Sequence, residues 1–162
     1  MVKKIVLLFL FINITFGCTK DDICSGETLT TPKLIIIFRS KINPNLSKNV
    51  ENLTVTTIVD NEVIEIIKST TTDSIAIPLQ TGQDITDFQF IKDNTSSNEG
   101  NSDSVTFTYD REFEYINRAC AFKAVYKNLI SSFVPEENWI LEFTELNQTI
   151  ENENETHLII LH

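Results

Sequence analysis

The groups that could do chemistry in this chain are few: three cysteines, two histidines and one loop dense in oxygen-bearing side chains. Cys18 and Cys24 bracket the run Thr19-Lys20-Asp21-Asp22-Ile23, and Cys120 stands far downstream. None of these thiols has the C-x-x-C spacing that lowers a thiol pKa for redox exchange, so disulfide transfer is not expected. Acyl transfer of the Ser-His-Asp kind needs an imidazole held against a hydroxyl, and no G-x-S-x-G elbow is there to present one. His157 reads as a strand residue at the sheet surface and His162 as part of a mobile C-terminal end. Phosphate-cradling glycine loops and zinc-ligand spacings are also missing. The chain is therefore not expected to be an enzyme, and no residue is assigned to catalysis, to a cofactor or to a metal.

Binding chemistry has more to work with. The loop KDNTSSNEGNSDS, residues 92–104, carries Asp93, Asn94, Glu99, Asn101 and Asp103, hard oxygens of the sort calcium accepts. Gly100, however, does not stand where an EF-hand loop turns, and runs of Asn, Ser, Asp and Gly also serve as ordinary hairpin connections. A sugar site would stack a ring on an exposed aromatic. Trp139 is the only tryptophan, and its alternation with Leu141 and Phe143 turns it toward the core. Phe133, in an irregular segment, is the one ring without an obvious strand partner.

The thiols make sense once the residues before them are considered. Lys3 and Lys4 precede the apolar run Ile5 to Ile12, the charged and hydrophobic regions of a secretion signal. A membrane-spanning helix needs roughly 20 apolar residues, and Asn13 and Thr15 interrupt this run well before that. Gly17-Cys18 resembles the lipobox of bacterial lipoproteins, with Thr15 where leucine is usual and Phe16 bulkier than the preferred residue. The resemblance implies that residues 1–17 are a signal peptide, that Cys18 is lipidated, and that residues 18–31 form a polar tether. The run Lys20, Asp21, Asp22 is similar to the export signal that sends some Bacteroidota lipoproteins to the outer face of the outer membrane; its plainer reading is a solvated linker.

Assigning Cys18 to lipid leaves Cys24 and Cys120, which in an oxidising compartment would be a disulfide. The alternative is two free buried thiols. A bridge across 96 positions would stabilise the fold by about 4–5 kcal/mol on the chain-entropy model.

Loss of residues 1–17 takes away Lys3 and Lys4 and no acid, leaving 11 basic and 23 acidic residues and a net charge of −12. Such acidity argues against nucleic acid as a partner, because phosphate affinity depends on clustered Lys and Arg. The 145 residues that remain suit one domain, assigned here to 32–162.

From Pro32 onward the periodicity is that of strands. Leu34 to Phe38 is a continuous apolar run, as in a strand covered on both faces. Leu53, Val55 and Val59, the turn pair Asp60-Asn61, and Val63 to Ile67 make a hairpin signature. Ile75, Ile77 and Leu79 alternate, Phe88 and Phe90 begin another set, and Val105, Phe107 and Tyr109 continue in odd positions through Phe113 and Tyr115. The face then passes to the even positions Cys120, Phe122, Ala124 and Tyr126, which predicts a bulge or corner near residues 116–119. Asn128 to Asn138 lacks alternation and reads as a loop or single helical turn; Trp139 to Phe143 and Leu158 to Leu161 close the series. Nine or ten short strands without a helical period predict an all-β fold, an antiparallel β-sandwich of immunoglobulin-like kind.

Cys18 with KDDIC, then TTPKLIIIF, NRACAFK, NWI and ENETHLIIL, together resemble the flavobacterial lipoprotein family called domain of unknown function 6452. Where that family is expected to carry Cys-Gly-Tyr, this chain has Cys120, Ala121 and Phe122. The resemblance implies a cell-envelope lipoprotein and brings no activity with it. The expectation is thus a non-catalytic binding or assembly module, lipid-anchored at Cys18 to the outer membrane on its periplasmic or surface face, with envelope proteins or glycans as further partners. A calcium- or glycan-binding surface module is the alternative. Asp73-Ser74-Ile75 and Asp103-Ser104-Val105 are also similar to the short O-glycosylation signal of Bacteroidota.

Overall fold

The computed structural model describes Cys24, residues 30–134 and residues 139–162. They form nine strands and no helix: β1 (Leu34–Arg39), β2 (Val50–Val59), β3 (Glu62–Thr72), β4 (Ser74–Ile77), β5 (Ile85–Lys92), β6 (Asn101–Asn117), β7 (Ala121–Phe133), β8 (Glu142–Glu145) and β9 (Leu158–Leu161). A four-stranded sheet in the order β4-β1-β9-β8 faces a five-stranded one in the order β3-β2-β5-β6-β7. The all-β sandwich is what the sequence predicts. Its one parallel pairing joins β1 to β9.

Local sequence explains the elements. In β1 Leu34, Ile36 and Phe38 are buried while Ile35 and Ile37 are half-buried, so the strand contributes to both faces of its sheet. All four residues of β9 are buried, as an uninterrupted apolar run demands. Asp60 and Asn61 join β2 to β3 with φ of 52° and 65°, the doubly left-handed conformation of a type I′ turn, which short Asx side chains tolerate. Between the sheets lie Phe38, Leu53, Phe88, Phe90, Phe107, Tyr126 and Leu158, all essentially inaccessible, each worth roughly 1.5–3 kcal/mol of burial.

Three features depart from the periodicity. Asn128 to Phe133 is not a loop but the second half of β7. An extra residue in β7, between the pairs Thr108–Ile130 and Asp110–Lys127, forms a bulge with Asn128 at φ 52°; the bulge turns Leu129 to the core and breaks the alternation. Phe133 is not partnerless either, because it pairs with Val105 and its ring lies 4.7 Å from that of Phe143. Residues 135–138, the rest of that predicted loop, lie outside the described residues. Finally, Trp139 is buried as expected but Leu141 is exposed, because the adjacent Trp139 and Ile140 are both buried, their amides held by Asp103, and this breaks the alternation.

β7 is an edge strand with its open side covered. Tyr126 and Ile150 exchange backbone hydrogen bonds of 3.1 and 2.8 Å, the Leu129 amide donates to the Gln148 carbonyl, and the Ala124 amide donates to Thr31 Oγ1. Such cover removes a template for aggregation.

Candidate functional site: the disulfide-tied hairpin

β6 and β7 form a hairpin that outruns its sheet. β5 stops pairing at Ile85–Thr108, whereas β6 continues to Asn117. At the tip the expected bulge is present, with Ile116 extra between the pairs Tyr115–Phe122 and Asn117–Ala121, and it leads directly into a turn at 118–120. Asn117 Oδ1 holds that turn by accepting from the amides of Ala119 (3.0 Å) and Cys120 (2.7 Å). Ala121 follows at φ 58°, a left-handed conformation that costs a residue with a Cβ about 1–2 kcal/mol. Cys120, on the turn, is bonded to Cys24, so the predicted disulfide is in place.

The base of the hairpin is clamped to the loop before β5. Gln80 donates its amide to Thr86 Oγ1 (2.9 Å), Thr86 Oγ1 lies 2.6 Å from Tyr109 Oη, and Tyr109 donates to the Gln80 carbonyl (2.9 Å). With those two donations fixed, the Thr86 hydroxyl must donate to Tyr109, and the ring of bonds closes. Tyr126 donates to the Leu79 carbonyl, and its ring meets Tyr109 at 4.9 Å edge to face. Burial raises both phenols, Tyr126 to about 12 with the neighbouring Tyr109 adding to the effect, so they remain donors at neutral pH. Arg111 completes the clamp, donating to Asp84 and to the Thr81 carbonyl at 2.6 Å each.

Beyond the clamp the inward-facing positions of β6 are Phe113 and Tyr115, expected in the core from their alternation. They are instead 58% and 62% exposed, and Phe122, directly opposite Tyr115, is 61% exposed. The Tyr115 and Phe122 rings stack edge to face at 5.4 Å. The opposite face of the hairpin is charged, with Glu112 paired to Lys127 and Glu114 to Lys123. Sequence reasoning missed this aromatic face. The available signal was the length of the alternating run, since a strand of 17 residues far exceeds the usual 5–6 and its end must overhang.

The histidines are placed otherwise than predicted. His157 is not at the sheet surface: it is buried, its Nδ1 accepts the Ile35 amide at 3.0 Å, and its own amide donates to the Ile35 carbonyl. His162 is not in a mobile end; it is buried between Phe38 and Trp139, with Nε2 3.3 Å from the Lys48 carbonyl and Nδ1 without a partner. Burial pushes both imidazoles below their ordinary value; Glu155 and Glu153 oppose the shift at His157, and at His162 the hydrogen bond to the Lys48 carbonyl opposes it while the charges of Lys48 and Lys92 add to it. A base with a depressed folded pKa binds fewer protons than its unfolded form, so stability is complete above pH 6.5 and declines as pH falls toward the folded value. Each histidine should remove up to about 1.4 kcal/mol per pH unit in that window. Calorimetry should show the melting midpoint dropping between pH 7 and pH 5, with a smaller drop in His162→Phe.

The oxygen-rich loop is shorter than it reads. Lys92 ends β5, Asn101 begins β6, and Gly100 turns between them at φ 75°. Asp103 is no loop ligand: it is buried on β6, and its Oδ2 accepts the amides of Trp139 (3.0 Å) and Ile140 (2.9 Å). Among the described residues no group of three His, Cys, Asp or Glu side chains is placed to hold a metal ion, and no helix is long and apolar enough to cross a membrane. Ser74 and Ser104, the serines of the two Asp-Ser motifs, are both exposed on strands. Shallow grooves of about 190 and 240 Å³ lie on either side of β2 near Thr57, below the 300–1,000 Å³ of ordinary ligand sites. Cys18, Lys20, Asp21 and Asp22 lie outside the described residues.

A family model matches residues 52–162, that of DUF6452, a family of unknown function. The chain belongs to that family. The match runs from within β2 through β9 and includes Cys120 and the whole aromatic hairpin. No curated protein and no solved structure matches the chain.

Proposed function

We propose that this member of DUF6452 is an exported flavobacterial lipoprotein, anchored in the outer membrane by an acyl group on Cys18, whose sandwich acts there as a non-catalytic binding or assembly module. The observation that carries the reading is the Cys24–Cys120 bridge. A structural disulfide belongs to an oxidising compartment, and with two sulfurs joined the third, Cys18, is left at the end of a signal-like apolar run, where acylation would use it. A binding role accords with a scaffold that presents an exposed aromatic hairpin at one end. The acidity of the chain, −10 overall, turns it away from nucleic acid and toward protein or glycan neighbours in the envelope.

Cells fed an alkyne-bearing fatty acid should yield labelled wild-type protein and unlabelled Cys18→Ser. Crosslinking in intact cells should then join the protein reproducibly to an envelope neighbour. Equal labelling of both forms would sink the anchor at Cys18. A melting midpoint raised by millimolar calcium, or reproducible hits on a glycan array, would replace the assembly role with a calcium- or sugar-binding one.

A further inference from the structure

The exposed rings of the hairpin sit where a short tether delivers them. Cys24 is fixed to the tip through Cys120, and Cys18 is six positions before it. At 3.3–3.6 Å per residue the intervening chain reaches at most about 20 Å. If Cys18 carries the acyl group, as proposed above, the tip of β6–β7, whose Cys120 Cα lies 4.9 Å from that of Cys24, cannot stand farther than about 25 Å from the bilayer. The end of the molecule held closest to lipid is thus the one that exposes Phe113, Tyr115 and Phe122 together.

Charge points the same way. The chain is strongly acidic, yet residues 110–127 carry four cations, Arg111, Arg118, Lys123 and Lys127, against the three carboxylates of Asp110, Glu112 and Glu114. Arg111 is paired with Asp84 and Glu112 and Glu114 each with a lysine, so the hairpin with its ion partners is close to neutral, and Arg118 is exposed at the turn. The hairpin is therefore a local exception to the acidity that repels anionic headgroups. Aromatic rings with a polar tip, tyrosine above all, favour the boundary between headgroup and acyl chain, and a contiguous exposed apolar face calls for an occupant.

We infer that the Phe113, Tyr115 and Phe122 face of the hairpin docks on the lipid surface beside the acyl anchor, setting the orientation of the sandwich on the membrane. The inference rests on the lipoprotein reading. Its test starts from purified mature Tyr115→Trp protein whose intact mass shows the acyl group on Cys18, reconstituted in vesicles of phosphatidylethanolamine and phosphatidylglycerol. Trp139, buried in the core, is the internal reference. The emission contributed by residue 115 should shift to shorter wavelength on vesicles and be quenched when the acyl chains are brominated, with that of Trp139 unchanged. Adding Phe113→Ser and Phe122→Ser should abolish both effects while the acylated protein still co-sediments.

Acylated protein that co-sediments with residue 115 unshifted and unquenched would overturn the docking and leave the anchor intact. A blue shift without quenching by brominated chains would mean that a second copy or a protein partner covers the face, which overturns it equally. Protein with no acyl mass would overturn the anchored reading and the docking with it.

Discussion

Replacing Cys24 and Cys120 together by serine should lower the free energy of unfolding by about 4–5 kcal/mol, the largest loss expected of any change outside the core. The bridge spans 96 positions and encloses β1 through β6, so cutting it releases most of the chain in the unfolded state. With a urea dependence of about 2 kcal/mol per molar, the unfolding midpoint should move by roughly 2 M. The folded sandwich should keep its far-ultraviolet spectrum, because the sheets do not depend on the bridge for their pairing. A midpoint shift far below 1 M would show that the loop is already held closed in the unfolded chain, or that the sulfurs are not joined in the native protein. The same variant frees the hairpin tip from the tether, so it should also loosen the restraint that keeps the aromatic face near Cys18.

The second large effect is expected at Asp103. Its single oxygen Oδ2 satisfies two buried amides, those of Trp139 and Ile140, and these hold the segment entering β8 against β6. Asp103→Ala leaves both donors without a partner in a place water does not reach; at 1–3 kcal/mol for each orphaned group, a loss of roughly 3 kcal/mol is expected. For a domain of this size that lowers the melting midpoint by about 10 °C. Asp103→Asn keeps an acceptor of nearly the same shape and should cost about 1 kcal/mol, the difference between a charged and a neutral bond. Ser104→Ala, at the exposed neighbour, should be nearly silent in the same melts. If Asp103→Ala and Ser104→Ala melted alike, the buried bonds would not be what holds this corner.

How much of this was legible in the sequence follows from what each signal measures. β1 and β9 were plain, because an apolar run such as Leu158 to Leu161 has only one comfortable place, between layers. The β2–β3 turn was plain as well, since Asp60-Asn61 is a local conformational preference. The disulfide came from counting thiols. Alternation, by contrast, reports that residues share a face and not that another sheet covers it. Phe113 and Tyr115 therefore read as core when they lie past the end of the facing layer. The second half of β7 was lost for a different reason: the left-handed Asn128 inserts one residue and turns a regular pattern into an apparently random one.

The polar residues were least legible. Whether His157 is buried is decided by Ile35, 122 positions away, and Asp103 was hidden by the polar composition around it although its partners lie 36 and 37 positions on. No local rule reaches across such separations.

All of this depends on how three sulfurs are divided. Peptide mapping by mass spectrometry of protein extracted from membranes, alkylated before any reductant is added, measures that division directly. The expected result is a Cys24 peptide linked to a Cys120 peptide and an N-terminal peptide beginning at Cys18 with the mass of an acyl-bearing glycerol. Alkylated Cys24 and Cys120 with an unmodified Cys18 would contradict it.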